Sequence, residues 1–342
     1  LYETATDTIE RINLGIGGNQ ADENSGDQFT GGPSISDDGQ YVVYSSQATN
    51  LVTGDTNGNH DVFLYDVAAD TTTRVSVADV SLGAVEGNGD SYYGMISGDG
   101  DHIVFLSEAS NLVAGDTNVY ADVFVYEVAT GTVERVSVDS VGTEADAASG
   151  RVSISGNGDY IVFQSNATNL VAGDTNGDRD VFVHDRVNAT TERISVDSAG
   201  VQGNDKSQIA FNGRAASFDG QYIVFFSNAT NLIAGDTNGA QDIFIHDRSA
   251  GTTTRVEDQG TVEANGRSRE PVISSDGEDV VFAGEMTNFD NSFLTDSNGE
   301  RDLFIYNRLS QDIEYVSVNA SNQVPPSGRA VYGVVADNRT VA

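Results

Sequence analysis

Short apolar runs recur along the chain, among them Tyr41-Val-Val-Tyr44, Val62-Phe-Leu-Tyr65, Tyr160-Ile-Val-Phe163 and Ile223-Val-Phe-Phe226. Each is apolar on both faces, where a half-exposed sheet would alternate polar and apolar residues. They therefore predict short strands packed between two neighbours. Asn-Gly and Asp-Gly pairs such as Asn157-Gly158 and Asp219-Gly220 separate runs of this kind and supply the positive φ values of tight hairpin turns. The stretch around residue 170 shows the order best. A first strand at Val152 to Ser155 is followed by a second at Tyr160 to Phe163, a loop over 164–177, a third strand at Asp180 to His184 and a fourth at Thr190 to Val196.

The same order returns at a fixed spacing. Asp61, Asp122, Asp180, Asp242 and Asp302, each opening a third strand, are separated by 61, 58, 62 and 60 residues. A period of this size marks a repeat architecture, and four antiparallel strands per unit describe a β-propeller blade. The blades are expected at 30–79, 91–138, 149–196, 209–257 and 268–318. The first residues, Leu1 to Arg11, align without gaps on Val125 to Arg135, and the last, Val334 to Ala342, align on Ile154 to Val162. Segments 1–14 and 330–342 are thus read as two strands each of a sixth blade, lacking counterparts of Phe163 to Phe182. The expectation is one domain over 1–342, an all-β six-bladed propeller closed by both chain ends. Pairing of those ends between successive chains would instead build a head-to-tail filament or a homo-oligomer.

The half-repeats Ser-x-Asp-Gly-x-Tyr-Val-Val-Phe and Asp-Val-Phe-Val-x-Asp resemble those of TolB-like (PD40-type) six-bladed propellers, over five full units and both ends. The resemblance implies that fold. It leaves function open, because propellers of this family serve as periplasmic and surface binding modules and as parts of hydrolases and lyases.

Charge narrows the choice. Fifty-two acidic residues face 17 basic ones, for a net charge of −35. That field opposes nucleic acid and anionic lipid and suits an extracellular, cell-surface or periplasmic setting where cations screen it. No apolar run is long enough to span a membrane. The chain has no cysteine, which removes disulfides and thiolate metal sites.

Asp-Thr-Asn-Gly-x-x-Asp loops recur before the third strands and should emerge on one face. Their oxygen-bearing side chains suit a hard cation such as Ca2+, bound as a structural ion. The ligands expected are Asp55, Asn57 and Asp61; Asp174, Asn176, Asp178 and Asp180; Asp236, Asn238 and Asp242; and Asp296, Asn298 and Asp302. The third repeat is favoured because Asp178 adds a ligand, and the second is disfavoured because Val119 replaces the glycine. Without metal, the first Asp of each loop would cap its own turn and the second would tie the loop to its strand.

Arg11, Arg74, Arg135, Arg193 and Arg255 share one fourth-strand position and are expected to pair with third-strand carboxylates such as Asp66, Glu127, Asp185 and Asp247. A second set, Arg151, Arg214, Arg267, Arg269 and Arg329, precedes the innermost strands and could converge on an anionic ligand such as an acidic sugar. His184, His246 and His102 occupy aromatic positions and are read as structural. Gly15-Ile-Gly-Gly18 is turn glycine rather than a dinucleotide motif. The uniform loops favour a binding or scaffolding module with a protein or glycan partner at the loop face. The alternative is a lyase or hydrolase of acidic glycans, whose site should break the repeat symmetry.

Overall fold

A computed structural model of the chain describes residues 1–3, 7–26, 31–211, 213–257, 263–288, 300–317, 335–336 and 340–341. Contacts group the chain into two compact units, Leu1–Val136 and Ser137–Ala342. Among the described residues there are five four-stranded antiparallel sheets, each with its strands in chain order, and three two-stranded ones.

The first unit holds two full blades. Blade 1 runs Ser34–Ile35, Tyr41–Ser46, Asp61–Asp66 and Thr71–Arg74, and blade 2 runs Ser91–Ile96, His102–Ser107, Asp122–Glu127 and Val133–Arg135. The second unit holds three. Blade 3 is Ser149–Ile154, Tyr160–Ser165, Asp180–Asp185 and Thr190–Arg193. Blade 4 is Ser207–Gln208, Tyr222–Ser227, Asp242–Asp247 and Thr252–Arg255, and blade 5 is Ser268–Ile273, Asp279–Gly284, Asp302–Asn307 and Asp312–Tyr315.

The apolar second and third strands form the middle of each sheet and are buried along most of their length, as continuous apolar runs require. In every blade one ring from each of these strands stacks on the other. The pairs are Tyr44 with Phe63, Phe105 with Phe124, Phe163 with Phe182, Phe225 with Phe244 and Phe282 with Phe304, at centroid distances of 5.5–5.9 Å. Such a pair contributes roughly 0.5–1.5 kcal/mol beyond the area it buries.

The Ser-x-Asp-Gly-x-Tyr signature interlocks neighbouring blades within the second unit. Gly220, at φ +65, lies so close to Tyr160 that a Cβ there would sit 2.2 Å from the ring. Arg248 stacks over the other side of Tyr160 at 4.2 Å and donates to the Gly220 carbonyl. Gly277, Tyr222 and Arg308 repeat the arrangement one blade on, with the guanidinium 3.8 Å from the ring centroid.

At the N-terminus Tyr2–Glu3 pairs with Thr8–Ile9, and its Tyr2–Ile9 register matches Tyr126–Val133 in blade 2, as the alignment predicts. Leu14–Gly15 and Asn19–Gln20 then form a hairpin whose turn carries Gly17 and Gly18 at φ 75 and 76, so these are turn glycines. Val335–Ala336 pairs with Thr340–Val341. No helix among the described residues is long and apolar enough to cross a membrane.

Candidate functional site

In blades 1 to 4 the loop ahead of the third strand is built around its asparagine. Asn57, Asn118, Asn176 and Asn238 accept the backbone N–H two residues on, at 2.5–2.9 Å, and form the Asx turn. Their Nδ2 groups face the second aspartate; those of Asn57, Asn176 and Asn238 also donate to the carbonyls of Gly87, Gly203 and Ala264. Both ends of the amide are therefore committed, and it turns nitrogen toward the carboxylates where a metal ligand would turn oxygen. The Oδ1 atoms of Asp55 and Asp174 are buried without a hydrogen bond, on side chains only 3% exposed.

What faces those carboxylates is arginine. Arg74 Nη1 lies 3.4 Å from both Asp55 and Asp61, and Arg193 Nη1 lies 3.5 Å from Asp174 and 3.3 Å from Asp180. Arg135 reaches Asp116 and Asp122, and Arg255 reaches Asp236 and Asp242, in the same way. Arg74, Arg135 and Arg193 also donate through Nη2 to the glycine carbonyl before the first aspartate. This corrects the expected pairing with Asp66, Glu127, Asp185 and Asp247: the fourth-strand arginine folds over the loop and acts as its internal cation. In blade 5, Tyr315 replaces the arginine and packs its ring, tilted by 47°, against Phe304. Asp302 there accepts from Ser317, while Asp296 and Asn298 lie outside the described residues.

The second aspartate joins two strands. Ser76, Ser195 and Ser317 each donate to its Oδ1 and accept the N–H of the following residue. Blade 4 breaks this rule with Glu257, which is fully buried. Its Oε1 accepts from Ile243 N at 2.7 Å, and burial together with the Asp242 charge pushes its pKa well up. Sequence reasoning passed over Glu257, although Ser76, Ser137, Ser195 and Ser317 at the aligned positions were the available signal.

In blades 1 and 4 a third carboxylate joins the two aspartates. Glu86 in blade 1 accepts from Thr56 N and lies 3.1 Å from Arg74, and Glu263 in blade 4 accepts from Thr237 N and lies 2.8 Å from Arg255. Blade 3 has Gln202 there, accepting from Thr175 N. Among the described residues, Asp236, Asp242 and Glu263 bring one oxygen each within 4.8 Å of one another, a spacing that could hold a metal ion. The carboxylates thus gather in blade 4, where Glu263 is supplied from outside the loop motif, while Asp178 of the favoured third repeat is only half-buried. Burial, with the Asp61 charge, pushes Asp55 up to about 6 against the pull of Arg74. Burial likewise takes Asp242 to about 6 despite Arg255.

His184 and His246 are buried and bonded through Nδ1 to Thr191 and Thr253, and burial lowers the His246 pKa, in keeping with their structural reading. Of the second arginine set, Arg151 donates to the Ile209 carbonyl, and Arg269 lies 3.5 Å from Glu285. Arg267 is exposed, Arg214 accepts Ile273 N through its carbonyl, and Arg329 lies outside the described residues.

No family model and no curated protein matches the chain. Solved structures do. The β-propeller domain of the Trilobed protease from Pyrococcus furiosus is 12% identical over 93% of this chain and 76% of that one, with a TM-score of 0.54. The fold is a β-propeller of the six-bladed, TolB-like kind. An oligogalacturonate lyase from Vibrio parahaemolyticus is also similar to this propeller, at 12% identity over 89% of this chain and 70% of that one, with a TM-score of 0.52. TolB from Acinetobacter baumannii shares 14% identity over 75% of the propeller chain at a TM-score of 0.43, and the chain spans 48% of its length.

Proposed function

We propose that this propeller is an exported binding or scaffolding module whose loops take up a divalent cation, calcium foremost, as a structural ion. The observation that carries the reading is the blade 4 loop. Asp236, Asp242 and Glu263 converge there on a single arginine, with Glu257 buried beside them, so charge remains to be neutralised. A cation there would hold the chain after the fourth strand onto the loop, and the asparagines would act as turn formers rather than ligands. The acidic surface suits a saline or calcium-rich compartment, and the loop face is the surface offered to a protein or glycan partner. Thermal melts with calcium and with chelator test the cation. Calcium at a hundred times its dissociation constant adds roughly 2.7 kcal/mol per site. The melting temperature is expected to rise with calcium and to respond less in Glu263→Gln, while a curve indifferent to both additions sinks the reading.

A second reading, an enzyme acting on acidic glycans, draws on the arginines at the blade ends and on a lyase among the similar folds. Turnover of oligogalacturonate by the purified protein would favour it over scaffolding.

A further inference from the structure

In the second unit, basic side chains gather at the strand ends that bear the loops. Ser149, Ser165 and Asp180 form one row across blade 3, and Ser268, Gly284 and Asp302 form the same row across blade 5. Arg151 and Arg179 flank the first row, and Arg267, Arg269 and Arg301 flank the second. Two protein carboxylates already sit among them. Glu270 lies 3.4 Å from Arg151 and accepts Phe211 N through its other oxygen, so the blade 5 strand reaches the blade 3 arginine. One oxygen of Glu285 lies 3.5 Å from Arg269 and 3.4 Å from Arg301.

These contacts are longer than the roughly 2.7–2.9 Å of a direct charge-assisted bond. The Nε groups of Arg269 and Arg301 are buried with no hydrogen-bond partner, on side chains 27% and 10% exposed. Three of these guanidinium groups, Arg151, Arg269 and Arg301, thus lie against two carboxylates, within a chain of net charge −35. Burial lowers the pKa of Arg269, helped by Arg301 and Arg267, and burial lowers that of Arg179, helped by Arg151, as crowded like charges require.

We propose that these two arginine stations bind a small ligand carrying two carboxylates, one at Arg151 and Arg179 and the other at Arg269 and Arg301. Glu270 and Glu285 mark the carboxylate positions from the protein side. A small ligand fits better than a long polyanion, which the acidic remainder of the surface would repel. The site is separate from the blade 4 loop and stands or falls without its cation.

Calorimetric titration of the full chain with digalacturonate, the C-terminally amidated dipeptide Glu-Glu and inorganic phosphate tests this. One of the two dicarboxylates is expected to bind, and the preferred one names the source as saccharide or peptide. Arg269→Ala with Arg301→Ala should weaken that binding by about tenfold or more, as loss of charge-assisted bonds implies. Glu285→Gln removes an internal competitor without emptying the site and should tighten it severalfold, so the idea is tested even where the double variant unfolds. Binding of phosphate alone, of none of the three, or of a dicarboxylate with an affinity that Glu285→Gln leaves unchanged or weakens, overturns the proposal.

Discussion

Arg193 holds two buried carboxylates at once, so the two ends of its ion pairs have unequal consequences. Removing the guanidinium leaves Asp174 and Asp180 facing each other in a dry loop, the situation in which breaking a buried pair costs about 3–5 kcal/mol. Arg193→Ala is therefore expected to lower the unfolding free energy by that order. Asp185→Asn, which removes the partner expected from sequence, should cost about 1 kcal/mol or less through weakened bonds to Asn188. Urea titration of both variants checks the contrast, and equal losses would return the arginine to the pairing read from the sequence. The arginine's position was plain in the repeat. Its direction was not, because i to i+2 alternation places a side chain on a face without saying which loop it folds over.

Within an element, the glycine of the Asp-Gly turn does two jobs. Gly142, in the Asp139-Ser-Val-Gly142 turn, and Gly220, in the Asp-Gly turn, both adopt positive φ, at 85 and 65, but a Cβ at Gly142 meets open space while one at Gly220 strikes the Tyr160 ring. Gly142→Ala should cost about 1 kcal/mol from backbone strain alone. Gly220→Ala should add a further 1–3 kcal/mol from overpacking. Thermal melts of the two variants separate the terms, and equal shifts would mean that the interlock carries no energy. The strands, their order and the N-terminal register were legible because continuous apolar runs and Asn-Gly or Asp-Gly turns act locally. The Tyr160–Gly220–Arg248 interlock was not, since its partners stand about sixty residues apart in sequence. The bulges that place Tyr93, Arg151 and Glu270 at φ 57, 29 and 54 in their first strands were hidden as well, because none is a glycine. Blade 4 shows the same limit at the candidate site. The aspartates are in the motif, but Glu263 reaches it from the chain beyond the fourth strand, where no spacing rule points to it.

For the molecule as a whole, stability should depend on pH in an unusual direction. Asp55 and Asp242 titrate near 6 when folded against 3.8 as free side chains, so the folded state holds protons that the unfolded chain has released. Between pH 4 and 6 that difference makes stability fall as pH rises, and the net charge of −35 adds self-repulsion in the same sense. Glu263 works oppositely. Burial disfavours its ionised form, but bonds from Thr237 and Arg255 outweigh this and bring it down to about 2, so its contribution is present above its free value of 4.5 and is lost as pH falls toward 2. The melting temperature in chelator is therefore expected to peak near pH 4, decline toward pH 7.5 and collapse below pH 3. Divalent cation should lift the neutral limb most, because it binds the ionised carboxylates whose repulsion causes the decline. A melting temperature that climbs steadily from pH 5 to 7.5 without cation would show that the loop arginines already neutralise their carboxylates and leave a cation little to do.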